Sequence, residues 1–143
     1  MHYRIIIAVS VGLFLHLITF YIFIILAVIV TGWLNEYIGL SQTEIVNIFT
    51  QKPEEALKFG TTLLLAMFIS LIISSFISGL IARKNSLIAG MIVSSMLPIM
   101  GFLGSISRGS LQFRLDIMVY VAIMISIGAL FGYLGGKLRS RYL

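Results

Sequence analysis

Four stretches of this 143-residue sequence, 5–34, 59–82, 86–104 and 115–136, carry no Asp, Glu, Lys or Arg in their interiors. A hydrocarbon core about 30 Å thick takes about 20 helical residues to cross, and each stretch is about that long or longer. Residues 5–32 alone hold nineteen Ile, Leu, Val or Phe. At about 0.3–0.6 kcal/mol each on the insertion scale, they outweigh the single imidazole, His16, among them. Strands are excluded by pattern, because membrane barrels alternate apolar and polar residues whereas Ile22 to Val30 is apolar throughout. In lipid only a helix satisfies such a backbone within one segment. The fold class expected is all-α and integral to a membrane: a compact bundle of four transmembrane helices forming a single domain over 1–143.

The first stretch is read as a retained helix. Met1-His2-Tyr3-Arg4 has the look of a short basic leader, but the apolar run behind it is about twice a signal peptide's 7–15 residues and no A-x-A site follows.

Composition removes whole classes of chemistry. Charged residues make up 10% of the chain, hydrophobic ones 59%, and mean hydropathy is +1.10, against about 25% charge in soluble domains. With no cysteine and two histidines, His2 and His16, the chain has no means for disulfide enzymes, thiolate metal sites or a zinc triad. No cofactor or metal is expected. The net charge of +5 comes from basic residues singly or in pairs beside apolar blocks, where they set topology and meet anionic lipid. No long basic stripe suits nucleic acid.

With the N-terminus cytoplasmic, the inside carries Arg4, Arg83, Lys84, Lys137, Arg139 and Arg141, and the outside Lys52, Lys58, Arg108 and Arg114. The positive-inside rule then places both termini in the cytoplasm of a plasma or inner membrane. Trp33 and Tyr37 at one face, with Tyr3 and Tyr142 at the other, suit interfacial anchoring.

The loop at 35–58 is the one substantial extramembrane piece. Ser41-Gln42-Thr43-Glu44 fits a capping box. Behind it Ile45, Val46, Ile48 and Phe49 oppose Asn47, Thr50 and Gln51, which predicts a short amphipathic helix on the outer surface. Pro53 before Glu54 and Glu55 is a second helix start, so span two is expected to begin near Pro53. Arg83-Lys84-Asn85 predicts a tight turn joining spans two and three as an antiparallel hairpin.

Packing faces are marked by small residues at intervals of four. Span two carries Ala66, Ser70, Ser74, Ser78 and Ala82; span three Ser86, Gly90 and Ser94; span four Gly128, Gly132 and Gly136, two overlapping GxxxG patterns. Span one has a looser face of Ala8, Gly12, His16, Thr19, Ala27 and Thr31. Contact in lipid rests on such close approach, and these faces are candidates for packing within the chain or for an interface with another. Pro98 should bend span three, with Ser94 and Ser95 placed to compensate. A short match between Ser78–Arg83 and Gly132–Lys137 hints at two duplicated hairpins.

His16 is the intramembrane polar candidate. No carboxylate lies at its depth, so a hydrogen bond to Thr19, to a Ser of span two or to a carbonyl is expected. Arg108 and Arg114 are the outer candidates for contact with lipid or a partner. Small multidrug transporters differ in having a glutamate in the first span, and membrane glutathione transferases need charged residues at the chemistry.

The function expected is non-catalytic: a small subunit or accessory factor of a larger membrane complex. Its partners would be lipids and other membrane subunits or further copies of itself. The alternative is a homo-oligomeric transporter or channel for small solutes, with a Ser-lined path and a bend at Pro98.

Overall fold

The computed structural model describes residues 2–31, 39–107 and 115–142, and everything structural below refers to these. Trp33, Glu36, Tyr37, Arg108 and Arg114 lie outside them. The described residues form helices and turns without strands. Helix α1 is His2–Thr31, α2 Gln42–Gln51, α3 Pro53–Ala82, α4 Ser86–Ser107 and α5 Leu115–Tyr142, with a 3₁₀ turn at Arg83–Asn85 between α3 and α4. Three helical stretches, Tyr3–Val30, Pro53–Met96 and Met118–Ser140, are long and apolar enough to cross a membrane, and they suggest a membrane protein.

The helices outrun the apolar blocks. Helix α3 opens at Pro53, six residues before Phe59, and α5 runs through Gly135 and Gly136 to Tyr142. Apolar blocks mark what lipid can cover, whereas helix ends are set by caps and breakers. Pro53 fits a first helical turn, where a missing amide costs nothing. Two glycines near the end of α5 weaken it by about 1 kcal/mol each, and both are packed against neighbouring helices.

Contacts divide the chain into two compact units, Leu17–Ser70, and Met1–His16 with Leu71–Leu143. In the first, Ser41 caps α2: its hydroxyl accepts from the Glu44 amide, and the Glu44 carboxylate accepts from the Ser41 amide at 2.6 Å. Lys52 joins α2 to α3, its amide donating to Ile48 O at 2.8 Å and its carbonyl accepting from the Glu55 amide at 3.0 Å. The rings of Phe49 and Phe59 meet across this joint with centroids 5.4 Å apart, and Lys58 pairs with Glu55 at 3.1 Å.

In the second unit the chain reverses at Arg83–Asn85, where Arg83 adopts a left-handed φ of 55°. The reversal follows from Gly12: a Cβ there would lie 3.0 Å from Ser78 Cβ and 2.7 Å from Val93 Cγ2. Fifteen residues of uninterrupted helix would separate Ser78 from Val93 by about 22 Å, so α3 and α4 fold back on one another. Ala8, Ala82 and Ala89 form a small apolar core with Ile5, Val9 and Ile81 against it.

Candidate functional site

The small-residue seams of the second unit are built from backbone approach. Ser86, Gly90 and Ser94 of α4 meet Gly136, Gly132 and Gly128 of α5 in reverse order. Four residues advance a helix by about 6 Å, so two antiparallel helices with small residues at that interval keep step along their contact. A Cβ on Gly132 would lie 2.9 Å from Gly90 Cα, and one on Gly128 would meet the Ser94 side chain. The α5 backbone also abuts α3, where a Cβ on Gly79 would strike the Gly132 carbonyl and one on Gly135 would strike the carbonyl of Phe76.

All five members of the α3 stripe, Ala66, Ser70, Ser74, Ser78 and Ala82, are buried. The first two belong to the unit Leu17–Ser70 and the last three to the other. His16, 3% exposed, places Nδ1 3.5 Å from the Ser74 hydroxyl, which itself donates to Leu71 O at 3.1 Å. This is a long contact that suits a packed imidazole held between two helices.

Helix α4 passes through Pro98 without interruption. Ser94 and Ser95 donate to the carbonyls of Met91 and Ile92, each at 2.9 Å. Their hydroxyls thus bond one turn back and not to the Ser94 carbonyl, which Pro98 deprives of its helical donor.

Several contributors lie off the stripes traced in the sequence. Ser75 is fully buried, and its hydroxyl, like that of Ser78, has no hydrogen-bond partner among the described residues. With Gly79 it forms a second small pair beside the Ser74–Ser78 stripe, a signal visible only when both faces are traced. Arg139 donates from Nη1 to Leu80 O at 2.9 Å across 59 residues, closing one of the carbonyls a helix end leaves open. Among the described residues no group of three His, Cys, Asp or Glu could hold a metal. No family model, curated protein or solved structure matches the chain.

Proposed function

We propose that the chain is a four-span integral membrane protein, both termini cytoplasmic, that serves without catalysis as a small subunit or accessory factor of a larger membrane assembly. The observation that carries this reading is the division of its surfaces. The small residues of α3, α4 and α5 face one another inside the unit, while α1 presents Phe14, Leu17, Tyr21, Ile25 and Ile29 outward. Of residues 3–30 only Ala8, Gly12 and His16 are buried. A helix apolar all round and so little covered suits lipid and the flank of another membrane helix. The termini rest on the Lys and Arg distribution.

The reading of a Ser-lined path is disfavoured by the burial of Ser74 and Ser78 beside His16 and Gly12. A solute path needs those hydroxyls open.

Purification of the tagged chain in mild detergent, followed by native mass measurement, tests the proposal. Unrelated subunits at fixed stoichiometry are expected. A lone chain, or a ring of identical copies, overturns it.

A further inference from the structure

Three arginines from three separate elements line one groove of about 190 Å³ in the second unit. Arg4 comes from the first turn of α1, Arg83 from the 3₁₀ turn and Arg139 from the end of α5, with Ile7 and Ile81 as apolar wall. We propose that this groove binds a phosphate-bearing anion, either the headgroup of an acidic phospholipid or a free phosphate ester.

Among the described residues that line the groove there is no acid. The unit's one acid, Asp116, precedes Arg139 by 23 residues, about 35 Å along α5. Arg139 is held by its bond from Nη1 to Leu80 O. A guanidinium fixed on one side presents its remaining donors in a set geometry, which suits phosphate oxygens. Arg4 sits where the positive end of the α1 dipole opposes a cation, and a bound anion relieves both. Arg83 occupies a φ of 55°, a conformation glycine adopts most cheaply. A charged residue at such a position is an outlier of the kind that accompanies binding sites. The volume equals several waters at about 30 Å³ each, room for a headgroup, and the isoleucines meet its first methylenes.

The test is native mass spectrometry of the full chain from micelles containing equal phosphatidylglycerol and phosphatidylcholine, with a parallel arm in millimolar inorganic phosphate. The wild type should retain one phosphatidylglycerol in preference to phosphatidylcholine, or a phosphate adduct. Displacement of the lipid by phosphate assigns the site to free phosphate, and retention assigns it to the headgroup. Arg4→Gln and Arg83→Gly should each weaken retention about fivefold, while Lys137→Gln, outside the groove, should not. Arg83→Gly suits the local backbone, so a loss there is not a loss of fold. No anion preference in the wild type, or one that survives the Arg4→Gln/Arg83→Gly pair unchanged, overturns the proposal. Co-purifying subunits play no part in this outcome.

Discussion

Gly132 of α5 and Gly90 of α4 stand so close that a methyl group on Gly132 would lie 2.9 Å from the Gly90 Cα, with the Ser86 carbonyl on its other side. Neither obstacle is the movable tip of a side chain, so the helices themselves would have to part. Gly132→Ala should therefore destabilise the protein by about 1–3 kcal/mol, the usual range for overpacking. Gly60 in α3 has nothing within 4 Å of its Cβ position. Gly60→Ala should be neutral or stabilising by up to about 1 kcal/mol through helix propensity. Unfolding titrations in mixed micelles compare the two directly.

Ser78 offers a test of opposite sign. Its buried hydroxyl has no partner among the described residues, and an unsatisfied buried polar group costs about 1–3 kcal/mol. Ser78→Ala should raise stability by up to about 1 kcal/mol, within the same micelle titration. Ser78→Leu should lower it, because Gly12 leaves no space for the added atoms.

The Arg83 backbone predicts a gain as well. Replacing a side chain at φ 55° by glycine removes a left-handed penalty of about 1–2 kcal/mol. Part of that is returned as unfolded-state entropy. Arg83→Gly should thus melt no lower than wild type, as followed by circular dichroism.

How much of this could be read from the residues depends on what each feature needs. The apolar blocks and the Ser41–Glu44 cap are local, and the sequence alone locates them. The turn at Arg83–Asn85 is local too, being the one polar break between two apolar runs. Which faces meet is a property of three dimensions. Spacing by fours marks Gly128, Gly132 and Gly136 as able to approach something, and Ser86, Gly90 and Ser94 likewise, but nothing in either run names the other. Gly79, Ser75 and the Arg4–Arg83–Arg139 groove were harder still. Gly79 matters because of Gly132, 53 residues later, and the arginines converge because three helix ends do. Pro98 removes a hydrogen bond, and the helix is carried past it.

Acidification should loosen the N-terminal cap of α2. The Ser41 hydroxyl, and then the Ser41 amide, hold the Glu44 carboxyl below its ordinary value of 4.5. The capping contribution is therefore complete above that value and is lost as pH falls through the lowered one. Hydrogen exchange of the α2 amides, corrected for intrinsic rates, should rise with falling pH in the wild type. In Glu44→Gln it should be flat over the same range.

The most direct test of the account is whether the small-residue faces close within a single chain. Because the sequence has no cysteine, a Gly12→Cys/Ser78→Cys pair reports without background; Val93→Ala, added to the pair, removes the Cγ2 that the new Cβ would meet at 2.7 Å, and the two Cβ positions, 3.0 Å apart, then need to part by only about 0.5 Å to reach disulfide range. Mild oxidation in native membranes followed by non-reducing electrophoresis should yield a cross-linked monomer of altered mobility. A cross-linked dimer, or no cross-link at all, would contradict the account.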